Sequence, residues 1–259
     1  MPLRRIALRL RDHDWLGVVI ELAIVVLGVY LGLQASNWNQ TRADKAQGRE
    51  YLQHLQDDLR KEDALLTDTL AFYRQVSAYG ELALSHAENH APATGTAWSA
   101  VLAYYQASQI WPFRQPRTTF QEARTTGSLP LIVDAVVRQH IAEHYDESAN
   151  SNALEILGDL PRYREHVRGL TPWAIQRYIW AHCYGGDVTR QTLVECPAPP
   201  DTSEEDLQSV LARMRQDAAL TEELRFWMAT QVASTMLLQQ VQQQGRALAA
   251  EVEGTLAGR

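Results

Sequence analysis

Cysteine is scarce in this sequence, with only Cys183 and Cys196 among 259 residues. Two cysteines exclude a scaffold built on disulfides, although a single bridge can form between them in an oxidising compartment. Cations are also short, 24 Lys and Arg against 31 Asp and Glu, for a formal net charge of −7. Non-specific nucleic-acid binding needs clustered cations to neutralise phosphates, so no nucleic-acid partner is expected. The period-two alternation of a half-buried strand is missing throughout. So are a Gly-x-Ser-x-Gly elbow, a glycine-rich phosphate loop and a Cys-x-x-Cys pair. These gaps lead to an all-α protein that is not an enzyme and carries no cofactor. With 46% hydrophobic and 21% charged residues, the composition is that of an ordinary globular chain.

What is present is concentrated near the start. From Trp15 to Leu33 the chain reads WLGVVIELAIVVLGVYLGL, with Glu21 its one acidic or basic residue. A bilayer core of about 30 Å is spanned by about 20 helical residues, so residues 15–36 form a candidate transmembrane helix. Trp15 and Trp38 bracket it at the two headgroup levels. A soluble core helix seldom has nearly every face apolar. A cleaved signal peptide wants small residues at −3 and −1, and the best candidate, after Ala35, has Leu33 at −3. An uncleaved anchor is the better reading. Arg4, Arg5, Arg9 and Arg11 favour a cytoplasmic N-terminus for the basic segment 1–14, against Arg42, Lys45 and Arg49 on the far side. The soluble part, 37–259, is then expected in the periplasm or outside, with the anchor in a bacterial inner membrane.

Gly17, Glu21, Gly28, Gly32 and Ser36 recur near multiples of 3.6 and share one side of the anchor. Gly28 and Gly32 make a small-xxx-small pair, which lets helix backbones approach closely in lipid. A carboxylate on that side faces a partner or a wet cavity if it lies below the headgroups, or snorkels to the interface. This face is the candidate association seam, for a homo-oligomer or an envelope partner.

Beyond the anchor, Tyr51, Leu52, Leu55, Leu59, Leu65, Leu66, Leu70 and Tyr73 recur at helical spacing. No proline interrupts them, so the membrane helix should continue as an amphipathic stalk. Further helices are expected near 78–89 and 96–109, the latter ending before Pro112 and Pro116. Thr118 and Thr119 are candidate caps for a helix over 119–126 that stops at Gly127. Pro130 suits the first turn of the next helix, running to about 157. Others start near Pro161 and at Pro172. A loop covers 185–200, framed by Cys183 and Cys196, which either bridge it or pack as buried thiols. Thr202-Ser-Glu-Glu205 reads as a capping box, and one long helix fills 218–255. The whole reads as an N-terminal transmembrane helix continuing into a stalk and an antiparallel helical bundle.

Two stretches carry a resemblance. One is IELAIVVLGVYLGLQASNWNQTR followed by EYLQHLQDDL; the other is TTFQEARTTGSLPLIVDAVVRQHIAEHY. Together they resemble an uncharacterised bacterial family of small single-pass membrane proteins with a glycine- and valine-rich anchor. The matching positions are Glu21, the junction Asn37–Trp38–Asn39, then Tyr51, Leu52, Leu55, Asp58 and Leu59. Gly127, Leu129, Leu131, Ile132 and Tyr145 follow. All fall in the first 145 residues. The resemblance implies an anchored helical domain and brings no catalytic residues.

His140-Ile-Ala-Glu-His144 fits the H-x-x-E-H pattern of inverted zinc peptidases, with Glu143 as base and Glu222 or Glu223 as third ligand. That peptidase fold mixes strands with helices, so surface or packing histidines are the plainer reading. His86 and His90 form a second i, i+4 pair without acidic or thiol partners nearby. Trp111, Phe113, Arg114 and Arg117 combine aromatic and basic character in a loop, either contacting headgroups or a partner, or plugging the bundle. The expected role is a membrane-anchored interaction or scaffold protein. The alternatives are a ligand-sensing bundle acting through a partner and an ion- or proton-conducting oligomer using Glu21.

Overall fold

A computed structural model describes residues 15–88, 96–146, 160–187 and 190–258. The apolar stretch and the expected stalk form one unbroken helix, α1 (Trp15–Glu88), of 74 residues, roughly 110 Å long at 1.5 Å per residue. The stretch expected as a separate helix at 78–89 is its last turns. Within the described residues seven more α-helices follow, so the all-α expectation holds. They are α2 (Ala97–Gln106), α3 (Thr118–Thr125), α4 (Ala135–Asp146), α5 (Arg162–Leu170), α6 (Trp173–His182), α7 (Glu204–Gln216) and α8 (Ala218–Leu256).

The frame is an antiparallel pair. On α1 the buried positions Gly48, Leu52, Leu55, Leu59, Glu62, Leu66, Thr69, Tyr73, Val76, Gly80 and Ala83 alternate spacings of four and three. On α8 the series Leu220, Leu224, Trp227, Gln231, Ser234, Leu238, Val241, Gly245, Leu248 and Val252 does the same. A 3.5-residue repeat keeps one seam facing its partner over many turns. Cross-links along the pair fix the register: Arg49 Nη2 to the Leu256 carbonyl at 2.8 Å, Arg246 Nε to Asp63 Oδ1 at 2.6 Å, Ser77 Oγ to Gln231 Oε1 at 3.0 Å, and Arg225 Nε to Glu88 Oε1 at 2.7 Å.

The other helices close two cores, stacked along this frame. Nearer the anchor, Leu52, Leu55 and Leu59 pack with Phe120, Ile132, Val137, Ile141, Tyr145, Leu248 and Val252. The larger distal core gathers α2, α5, α6 and α7 against the far halves of α1 and α8. Close approach sets two glycines in the frame. A Cβ at Gly48 would fall on the Leu131 carbonyl, and one at Gly80 on the Met228 sulfur.

Several local expectations shift. The capping box of α7 is Ser203 with Asp206, one residue past the expected Thr202–Glu205 pair: Ser203 Oγ accepts the Asp206 N–H at 3.1 Å and Asp206 Oδ2 accepts the Ser203 N–H at 3.3 Å. Thr118 and Thr119 do not cap α3 but lie inside it. The Thr119 N–H instead donates to Asp58 Oδ2, a carboxylate brought from α1, at 3.3 Å. Gly127 ends the turn after α3 at φ 69° as expected. Pro130 sits in a 3-10 turn, Leu129–Leu131, and α4 starts only at Ala135. There Asp134 Oδ1 accepts the N–H groups of Val136 and Val137. The expected run of that helix to 157 passes outside the described residues at 147.

One element departs from the helical reading. Tyr184–Gly186 (β1) and Gln191–Leu193 (β2) pair antiparallel inside the expected loop. Three-residue strands are too short to show an alternating pattern. The hairpin lies between the cysteines, whose sulfurs are 1.85 Å apart, at bonding distance, with Cα atoms 5.2 Å apart. Closing a loop of 13 residues restricts the unfolded chain by about 3 kcal/mol. The cysteine carbonyls are used too: Gln106 Nε2 donates to that of Cys183 and Trp98 Nε1 to that of Cys196, both at 2.8 Å.

Candidate functional site

Gly17, Glu21, Gly28, Gly32 and Ser36 all lie in the first part of α1. The apolar window of this helix is 0% buried against the rest of the chain, and its length and composition suffice to cross a membrane. A Cβ at Gly28 or Gly32 would meet nothing within 4 Å, so the helix is open at both glycines. Asn37, Trp38 and Asn39 continue the helix without a break, and Trp38 is 68% exposed. Burial begins at Gly48, about 18 Å beyond Ser36 at the rise of an α-helix. Glu21, Gly28, Gly32 and Ser36 are thus exposed along this stretch and Gly17 is half-buried, and an exposed stalk follows. The arginines expected to orient the anchor fall in 1–14, outside the described residues.

The second assembly joins His144 and Arg117, two residues the motifs singled out for other roles, to Glu62, which they did not single out. Between the two cores α4 inserts His144 beside Glu62 of α1, with His144 Nε2 2.9 Å from Glu62 Oε2. The two side chains are 4% and 1% exposed. Gln115 Nε2, on the crossing between α2 and α3, donates to Glu62 Oε1 at 3.0 Å. Arg117 Nη2 donates to the Tyr145 carbonyl at 2.6 Å and to Gln115 Oε1 at 3.2 Å. Gly245 of α8 leaves the room: a Cβ there would stand 3.4 Å from His144 Cε1. With Glu62 accepting, His144 Nε2 carries the hydrogen and the carboxylate satisfies both oxygens. Burial, and then the Glu62 and Asp58 charges, push the Tyr145 phenol far up, so it stays neutral. The His144 and Glu62 side chains are buried, and this belt of contacts fastens α1, α4 and the crossing together. The sequence signal for it was a carboxylate, Glu62, falling in the four-three series of buried positions between Leu59 and Leu66.

The same contacts dissolve the zinc motif. His144 turns inward to Glu62, while His140 Nδ1 meets Glu251 Oε2 of α8 at 2.7 Å. The Glu251 hydrogen bond and charge hold His140 above the usual imidazole range. Glu143 is exposed and accepts from Gln139 Nε2 at 2.7 Å. Glu223 stands at the other end of α8, bonded to His166 Nδ1 at 2.9 Å. Among the described residues no group of three or more His, Cys, Asp or Glu is arranged to hold a metal ion. His86 is buried, which pulls its pKa down, with Arg215 adding to the effect; His90 lies outside the described residues. The aromatic–basic loop divides. Phe113 is 5% exposed in the distal core, Arg117 joins the belt, Trp111 exchanges hydrogen bonds with the Tyr73 phenol at 3.2 Å, and only Arg114 of the four is fully exposed.

Fold and site define a class: an all-α protein in which one helix, long and apolar enough to cross a bilayer, is also the central strut of a two-core bundle. No protein-family model matches the chain, and no curated protein or solved structure matches it.

Proposed function

We propose that the protein is a membrane-anchored interaction or scaffold protein that self-associates, or supports a larger envelope complex, through the anchor. The observation that carries this reading is the continuity of α1. The helix with the open Gly28–Gly32 face is the same helix that carries both cores, so packing in the membrane is mechanically tied to the bundle. In lipid, helices associate by close packing of small residues rather than by the hydrophobic effect. The cysteine sulfurs at bonding distance favour an oxidising compartment, which agrees with a cytoplasmic N-terminus, a periplasmic bundle and a bacterial inner membrane. Membership in the anchored family that the Asn37–Trp38–Asn39 junction resembles belongs to the same proposal.

The test is the mass of the full chain in mild detergent, measured by light scattering and by in-membrane crosslinking before extraction. An oligomer or a stoichiometric co-purifying partner is expected, and Gly28→Ile with Gly32→Ile should dissociate it. A monomeric species without partner in both measurements refutes the proposal.

A further inference from the structure

Beside the distal core stand two half-buried cations with no counter-charge among the described residues. Arg164 and Arg168 stand one turn apart on α5, and both reach the same neutral acceptor, Gln109 Oε1, at 3.4 Å and 3.0 Å. Arg164 Nη1 also donates to the Ser108 carbonyl at 2.5 Å. Neither arginine has a carboxylate partner among the described residues, in contrast to Arg60, Arg190, Arg225 and Arg246. Arg168 Nε is buried with no hydrogen-bond partner. Its guanidinium lies 4.8 Å from the Tyr105 ring centroid and 5.5 Å from that of Trp180.

Such an arrangement is costly as it stands. Two like charges brought together out of water repel each other and lose hydration. Burial, and then the Arg168 charge, press Arg164 down to about 10, and burial lowers Arg168 as well. The surroundings are nonetheless built to hold the pair. Gln109 is 1% exposed and is itself fixed by donating to Gln106 Oε1 at 3.1 Å, while the Arg168 and Thr171 carbonyls are held by Gln176 Nε2 at 2.8 Å. On the outer side, on α6, Trp180 is 41% exposed and tilts against Tyr184, ring centroids 4.8 Å apart.

We propose that Arg164 and Arg168, with Gln109 as positioning residue and Tyr105 and Trp180 as walls, form a binding site for a small organic carboxylate with a flat apolar body. A planar guanidinium donates two parallel hydrogen bonds to a carboxylate, and a buried N–H such as Arg168 Nε gains most from one. The aromatic walls suit a flat body beside the cation. The ligand is diffusible rather than a lipid headgroup, because Tyr73, at the level of this core, lies 37 residues beyond Ser36, about 55 Å along α1. The site is independent of the anchor and of whether the chain self-associates.

The experiment is isothermal titration calorimetry on the full chain in non-ionic detergent, with benzoate, succinate, inorganic phosphate, tetraglutamate and neutral benzamide as probes. Saturable binding of benzoate in the millimolar range or tighter is expected, with none for benzamide. Arg168→Gln should weaken benzoate about tenfold, the scale of one charge-assisted hydrogen bond. Trp180→Ala, a half-exposed position outside the charge pair, should weaken benzoate more than succinate, and covers the case in which Arg168→Gln fails to fold. Absence of saturable binding by either small carboxylate overturns the proposal. So does equal benzoate affinity in wild type and folded Arg168→Gln, binding of phosphate alone, or binding of tetraglutamate alone, which would assign the arginines to an acidic protein segment.

Discussion

Removing the His144 imidazole should cost far more than removing an ordinary surface histidine. Glu62 is 1% exposed and has two donors, His144 Nε2 at 2.9 Å and Gln115 Nε2 at 3.0 Å. In His144→Leu the carboxylate stays buried with one donor gone, a loss of about 3–5 kcal/mol for a buried pair broken on one side. For a domain of this size 1 kcal/mol moves Tm by roughly 2–4 °C, so Tm should fall by roughly 6–20 °C. Glu62→Leu should behave similarly, because it strands the imidazole. The double variant Glu62→Leu/His144→Leu removes both polar groups and sets two apolar side chains against each other between the two cores. It should recover most of the loss, with a coupling of at least about 2 kcal/mol. The assay is thermal unfolding of the full chain in detergent, followed by near-UV circular dichroism, which reads the packed aromatic rings of the two cores rather than the anchor. Single variants within about 1 kcal/mol of wild type, or a double variant whose loss is simply additive, would refute the reasoning.

Two other outcomes follow from the geometry. His166 bridges Glu223 at 2.9 Å and Asp217, the cap of α8, at 3.0 Å. Burial draws its pKa down, but the two carboxylates outweigh burial and leave it raised. A raised folded pKa stabilises fully below the unfolded value of about 6.5, and the gain is lost as pH rises through the folded value. The Tm difference between wild type and His166→Asn should therefore be larger at pH 5.5 than at pH 9; a difference that grows toward alkaline pH would contradict the sign. Gly48→Ala should destabilise by about 1–3 kcal/mol, since its Cβ meets the Leu131 backbone, whereas Gly80→Ala meets the flexible Met228 side chain and should cost less. Chemical denaturation of the pair checks the order, and equal losses would show that the 3-10 turn yields as easily as a methionine.

Much of the helical plan was legible because it is written in short-range chemistry. Periodicity, the absence of proline and the turn residues located α2 and α8 within a few residues and most of α1, whose last turns were expected as a separate helix at 78–89, and Cys183 and Cys196 were a natural pair. Boundaries failed where a cap came from a distance. Thr118 and Thr119 read as caps, but Asp58, some 60 positions earlier, supplies the acceptor. The hairpin at 184–193 escaped because three-residue strands carry no period.

By itself the sequence determined the all-helical class, the apolar stretch at the start of α1 and the placing of Gly17, Glu21, Gly28, Gly32 and Ser36 near one another on that helix, because hydrophobic spacing acts along one helix. Only the tertiary structure decided which polar residues meet. Glu62 and His144 are 82 positions apart, and Gly245 opens the space between them from a third helix. Arg164 and Arg168 share Gln109 Oε1, an acceptor more than 50 positions away that no spacing announces. Burial and counter-charge are properties of the packed assembly, set by helices brought together from distant parts of the chain, and no local pattern encodes them.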